Sequence, residues 1–363
     1  FSKKKLLLNL ELIKPLIYAL ALNNNFWLFG SIPTQIVALP LLLIINFSRK
    51  ISFLPIFILL IFQICSISIV FLGLSEYVKY TVFVSCYILF SYEVIFKDKN
   101  TKNIIFALII LTVFFIFVPD SSLLFPKIFL EYASVGGIPR VSGFCQNPNE
   151  TGAIFFLPVI IDSIKKEKGA DNFTYIFSII GIITTGSRGF LATLIVLWVN
   201  KTLKFRNIRN LTSLLTLCFG TVFYVINYVN ETILKYKTND LVANNRWDHF
   251  SKYINQHLTN FNIYKDGNVE ILGNIHNQFL ALIPRFGFLG FMLSISLLVL
   301  IAFSILYPIK KLDIYLSINY ICVILPLLVF DFTLAPYFYS ALMLLLINKR
   351  IIFNKNKYAK MLF

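Results

Sequence analysis

The stretch ISFLPIFILLIFQICSISIVFL, residues 51–72, runs 22 positions without a charged side chain. A bilayer core about 30 Å thick is crossed by about 20 apolar residues in a helix. The stretch NIIFALIILTVFFIFV, residues 103–118, repeats the pattern. Working outward from these two, twelve segments read as spans: 6–22, 26–46, 51–72, 76–96, 103–119, 149–164, 172–185, 189–203, 208–229, 277–307, 312–331 and 335–348. The expected fold is an all-α integral membrane protein of about twelve transmembrane helices, residues 1–363 forming one membrane-embedded domain. Glu11 and Lys14 interrupt the first segment, and at i, i+3 they are placed to pair on one helix face.

Composition agrees. The chain is 58% hydrophobic, contains 38 Phe and has a mean hydropathy of +0.77, against about 45–50% apolar residues in soluble domains. Lys3, Lys4 and Lys5 precede an apolar run as in a signal peptide, but no small-residue cleavage site follows, so a first membrane helix is expected. Phe1 stands where an initiator Met would, which suggests a native start upstream. The five cysteines are scattered, with no CxxC and no Cys/His cluster, so neither a metal site nor a disulfide framework is indicated.

The net charge of +16 is tested first against the positive-inside rule. With the N-terminus inside, alternating loops place 22 of the 33 basic residues on the inner side. The short outer turns near Asn23–Asn25, Gly73–Ser75 and Phe332–Leu334 have none. This sorting accounts for most of the charge without nucleic acid. Eight basic residues fall on the outer side against the rule: Lys127, Arg140, Arg188, Lys235, Lys237, Arg246, Lys252 and Lys265. The outer side also carries two long loops, about 120–148 and 230–276. In the second, Trp247, Phe250, Ile254 and Leu258 recur at helical spacing, which predicts a short amphipathic helix on the membrane or capping the bundle.

Four outer sites carry candidate chemistry. Arg140 opens Arg140-Val-Ser-Gly143-Phe-Cys-Gln-Asn147-Pro148-Asn149, a turn that presents a guanidinium and two carboxamides, Asn147 and Asn149, to an anionic, hydroxyl-rich ligand. A surface turn with a snorkelling arginine is the plainer alternative. Arg188 lies in Thr184-Thr185-Gly186-Ser187-Arg188-Gly189, where flanking glycines let backbone approach a ligand. A helix beginning near Ser187 adds its dipole there. A guanidinium suits bidentate phosphate contact, whereas a stray outward arginine would need no ligand. Arg246, before Trp247, is either a further phosphate contact or an interfacial anchor. His249 and His257 read as polar-face residues of the same helix.

His276 and Asn277 stand where the longest polar stretch returns to an apolar helix. His276 either satisfies a helix-terminal backbone group or acts as a general base: neutral imidazole near pH 7 can take a proton from an attacking sugar hydroxyl. Pyrophosphate, leaving, would be stabilised by Arg140, Arg188 and Arg246. The outer acids are dispersed and contain no DxD pair, so the expected mechanism uses no metal and no cofactor. Arg285, on the same helix as His276, is placed either to neutralise a headgroup or to pair with an acid such as Asp331.

Taken in order, R-x-x-G-x-x-x-N-P-N (Arg140–Asn149), G-S-R-G (Gly186–Gly189), Arg246-Trp247 and H-N-x9-G-x2-G (His276–Gly290) resemble the O-antigen ligase and O-antigen polymerase superfamily. The layout of spans with a long late loop resembles it too. The resemblance implies polytopic inner-membrane glycosyltransferases that act on undecaprenyl-pyrophosphate-linked glycans at the periplasmic face, inverting and metal-independent. It implies loop arginines at Arg140, Arg188 and Arg246 and a base at His276. Asn147, Asn149, Ser187 and Asn277 are the expected substrate contacts. Arg285 departs from the pattern, which often has an acid before the Gly-x2-Gly. The expected partners are lipid-linked glycan donor and acceptor, membrane lipids and a chain-length regulator protein, with no nucleic acid. Polymerase is the preferred activity; ligation to lipid A-core and a polysaccharide flippase are the alternatives. A flippase should place charge in mid-span and show repeat symmetry, whereas the unexplained charges here lie at the outer boundary.

Overall fold

A computed structural model describes residues 3–23, 27–28, 32–47, 53–66, 74–98, 101–117, 131–135, 138–141, 145, 148–165, 170–205, 278–310, 313–329 and 335–353. Helices dominate these residues, in chain order α1 (Lys3–Leu22), α2 (Gln35–Phe47), α3 (Phe53–Ser66), α4 (Leu74–Tyr92), α5 (Lys102–Phe117), α6 (Pro148–Lys165), α7 (Asn172–Thr185), α8 (Arg188–Phe205), α9 (Gln278–Lys310), α10 (Ile314–Val329) and α11 (Pro336–Phe353). Each overlaps one of the expected segments. The remaining segment, 208–229, lies outside the described residues, as does the amphipathic helix expected over 247–258. Two helices, Tyr77–Lys97 and Leu289–Ile309, are long and apolar enough to cross a membrane by length and composition; the other apolar helices among the described residues are shorter.

The structure adds two small hairpins. Strands β1 (Trp27–Leu28) and β2 (Ile32–Pro33) pair antiparallel and occupy the start of the segment expected as span 26–46. Strands β3 (Glu131–Val135) and β4 (Ile138–Val141) pair antiparallel within the first long loop, with Arg140 opposite Tyr132. β4 packs against α7.

The helices form one cluster of buried side chains that runs from α1 to α11. Many of their other faces are apolar and exposed, among them Phe53, Phe57 and Leu60 on α3 and Leu298, Phe303 and Leu306 on α9. Apolar stripes of this extent mark a surface that meets something other than water. The interior is not uniformly apolar. Ser91 and Ser340 join α4 to α11 at 2.9 Å, and Asn46 donates to the Leu89 carbonyl across α2 and α4. Asn200 on α8 donates to Asn319 on α10, which in turn donates to the Ser163 carbonyl on α6, both at 2.8 Å. Each link satisfies a group whose burial alone would cost stability.

The most charged part of the interior surrounds a π-helical turn, Glu93–Lys97, at the end of α4. The turn closes with the Asp98 N–H donating to the Glu93 carbonyl at 2.7 Å. Glu93 forms a buried ion pair with Lys14 at 2.8 Å. Lys14 thus reaches across to α4; the side chain of Glu11, its expected i, i+3 partner, lies outside the described part. Asp98 accepts from Tyr18 at 3.1 Å and from Asn103 at 2.8 Å. Lys165, at the end of α6, donates to the carbonyls of Val94 and Asp98. Asp162 accepts from Thr101 at 3.0 Å.

α9 departs from its expected straight course. The Ser294 hydroxyl donates to the Phe279 carbonyl at 2.7 Å, fifteen residues earlier. A straight helix would hold those residues about 22 Å apart along its axis. A Cβ added to Gly290 would lie 1.9 Å from the Leu282 carbonyl oxygen. The first turns of α9 are therefore folded back on its body, the chain reversing between Leu282 and Gly290 across a stretch that contains Pro284 and Gly287. Phe279, Ala281, Leu282 and Phe286 on this arm are buried, and Phe286 meets Tyr80 of α4 edge-on at 5.8 Å.

Candidate functional site

α7 is bounded by two standard end devices. The Asp171 side chain accepts from the Thr174 N–H at 2.7 Å, capping the start. Gly186 closes the end in the left-handed region, φ 61°, with its N–H on the Ile183 carbonyl. A residue with a Cβ is strained at that φ, so glycine is what lets the chain turn from α7 into α8 within two residues.

Ser187 sits in that turn, buried, and its carbonyl accepts from the Leu191 N–H as the first bond of α8. Its hydroxyl reaches instead to the start of α6, bonding the Pro148 carbonyl at 3.2 Å and the Asn149 Oδ1 at 3.1 Å. The approach is close because α6 carries glycine there: a Cβ on Gly152 would lie 2.7 Å from the Ser187 Cβ and Oγ. One turn on, Phe155 lies flat against Gly181 of α7, where an added Cβ would sit 2.2 Å from the ring.

These contacts bring helix beginnings together. α6 starts at Pro148 and α11 at Pro336, proline being well suited to a first helical position. α8 starts at Arg188, as the expectation of a helix near Ser187 required. Phe190, two residues further on, is fully buried, 5.5 Å from both Phe156 of α6 and Tyr337 of α11 by ring centroids. That aromatic triad sets the rotation of the first turn of α8. Each helix N-terminus carries the positive end of its backbone dipole, about half a charge, an electrostatic setting that favours an anion. Glu150, in the first turn of α6, opposes part of that field.

Cys145 lies beside the α6 start and is fully buried. Burial pushes its thiol well above the usual thiol range, and the neighbouring Glu150 carboxylate pushes the same way while Thr151 pulls back. It is a packing residue. Cys86 and Cys322 are also buried and in no disulfide.

Of the expected site residues, the structure joins Asn149 and Ser187 by a direct hydrogen bond. It sets Arg188 at the head of α8 and Arg140 on the strand that packs against α7; the side chains of these two arginines lie outside the described part. Asn147, Arg246, His276 and Asn277 lie outside the described residues. Among the described residues no group of three or more His, Cys, Asp or Glu is arranged to hold a metal ion. Sequence reasoning missed the Phe156–Phe190–Tyr337 triad and the part played by Pro336; a proline opening an apolar segment was the available signal. No protein-family model, no curated protein and no solved structure matches the chain.

Proposed function

We propose that this protein is a polytopic membrane glycosyltransferase of the O-antigen polymerase type, joining undecaprenyl-pyrophosphate-linked oligosaccharide units at the outer face of a bacterial inner membrane. In this reading the chain has twelve spans with both termini inside, and the α6, α8 and α11 beginnings face the periplasm. The single observation that carries the reading is the meeting of the α6 and α8 beginnings at the Asn149–Ser187 bond, with Arg188 at the head of α8. A pyrophosphate is the kind of group such an end attracts.

The chemistry is a single inverting displacement. An acceptor hydroxyl oxygen attacks the anomeric carbon of the donor sugar. The carbon–oxygen bond to pyrophosphate breaks, its electron pair leaving with the phosphate oxygen, and the hydroxyl proton passes to His276. Arg188, Arg140 and Arg246 counter the charge that grows on the leaving group. The Asn149 carboxamide, its oxygen bonded by Ser187, is a substrate contact in this reading. A chain-length regulator protein is the expected partner.

The test is transfer from a synthetic lipid-linked glycan in reconstituted membranes. Arg188→Ala should lower the rate about 10²-fold, the scale of losing one charge-stabilising donor. Arg188→Lys should recover only part of it, since an ammonium lacks the planar fork. His276→Ala should abolish transfer; full transfer by that variant would remove the base assignment. Transfer to lipid A-core instead of a second lipid-linked unit would make the protein a ligase, and untransferred donor accumulating on the inner leaflet would make it a flippase.

A further inference from the structure

The fold-back of α9 is held by two residues that have no other evident task. Ser294 is buried and shares its hydroxyl between the Gly290 carbonyl, 2.9 Å away in its own helix, and the Phe279 carbonyl, 2.7 Å away in the arm. Gly290 is buried beneath the Leu282 carbonyl, which leaves no room for a Cβ. The two lie one helical turn apart on the same face: Ser294 bonds the arm at Phe279, and Gly290, lacking a Cβ, lets it approach closely at Leu282. The arm begins at Gln278, two residues after His276 in the chain.

Resting on the transferase reading above, we infer that Gly290 and Ser294 form a clamp that fixes the depth of the α9 arm, and that they are positioning residues for glycan transfer, acting through the arm's Gln278 end. One bond and one close approach that only glycine allows together define where the arm starts and which way it runs. An α-helical arm moved by one residue shifts about 1.5 Å along its axis and turns about 100°. Misplacement of a reacting group by about 1 Å can cost about 10²-fold in rate. The clamp touches no substrate in this scheme, and its effect is on where the arm's leading end is held.

Spin labels at Gln278 and Phe303 read the arm directly. If α9 were straight, the backbone positions would be about 38 Å apart; with Phe279 alongside Ser294 they are about 14 Å apart along the axis. The parent protein should give the short distance. Ser294→Ala should broaden it and lower kcat per mole of folded protein about tenfold while leaving the donor KM within twofold. Ser294→Thr, which restores a hydroxyl, should recover both. Gly290→Ala should displace the arm further and cost more. A long distance in the parent overturns the clamp itself. A displaced arm with unchanged kcat in Ser294→Ala overturns the positioning role and leaves the transferase reading standing. A short distance in a parent that performs no transfer overturns the transferase reading, and the positioning role with it, while the arm geometry survives.

Discussion

At its Lys165 end α6 lies among charges that the protein neutralises itself; at its Pro148 end it lies among helix beginnings. Around the π-helical turn, Lys14 meets Glu93, Asp98 receives Tyr18 and Asn103, Lys165 caps two carbonyls and Asp162 receives Thr101. Around Ser187 the described bonds are neutral, and the positive field comes from backbone N–H groups. Buried charges that answer one another fix geometry but offer little to a ligand, because their desolvation is already compensated internally. The field at the helix beginnings is opposed in part by the Glu150 carboxylate. One end of α6 is thus fixed by buried charged groups, and the other by neutral hydrogen bonds and close helix approach.

The sharpest way to break the contrast is at the paired end. Glu93→Ala would leave the Lys14 ammonium buried without that carboxylate, and a loss of about 3–5 kcal/mol is expected, read as a lowered unfolding midpoint in detergent. Lys14→Met combined with Glu93→Leu should recover most of it, since a matched apolar pair carries no stranded charge. A single Glu93→Ala variant that unfolds like the parent would remove the structural role assigned to that end. At the other end, Gly152→Ala pushes a methyl into Ser187 and should cost about 1–3 kcal/mol, with transfer falling further than stability alone explains. Ser187→Ala should cost about 1 kcal/mol, the worth of a typical internal hydrogen bond, checked by the same unfolding assay.

The smallest effect is expected at Cys145. Its thiol is raised by burial and by Glu150, so it stays protonated through the pH at which ordinary thiols ionise. A maleimide at pH 8 should therefore leave Cys145 unlabelled in the folded protein and label it once the protein is unfolded. The sign for stability follows: a raised folded value favours the native state below the unfolded thiol's value, and that contribution is lost as pH climbs through the folded one. Rapid labelling of folded protein at pH 8 would show that the Pro148 end is more open than the structure has it.

Much of this was readable in the residues. α7 falls on 172–185 as expected because both of its ends are local devices, Asp171 before it and Gly186 after it. The start of α8 was legible for the same reason. What escaped was non-local. Lys14 meets Glu93 because tertiary packing brings α4 against α1, a pairing that spacing within α1 does not reveal. The π-helical turn leaves no apolar period of its own to read in EVIFK. The reversal in α9 was hidden because both arms keep a helical pattern; Pro284 and Gly287 were visible, but a kink and a full fold-back begin with the same residues. Of the candidate site, Asn149 and Ser187 were named from turn chemistry and found bonded. The aromatic triad beneath them was not named, because Phe156, Phe190 and Tyr337 come from three distant segments.

The folded arm of α9 also settles a question of length. Thirty-three helical residues laid end to end would make a rod about 50 Å long, well beyond a hydrocarbon layer of about 30 Å. A rod of that size would have to tilt steeply or thicken the lipid around it. Folding back leaves Leu289–Ile309, 21 residues, about 32 Å by the same rise, as the part that matches the layer. Gly290 and Ser294 therefore stand at the head of a stretch long and apolar enough to cross a bilayer, and shortening the arm between Gln278 and Ile283 should leave the length of that stretch unchanged.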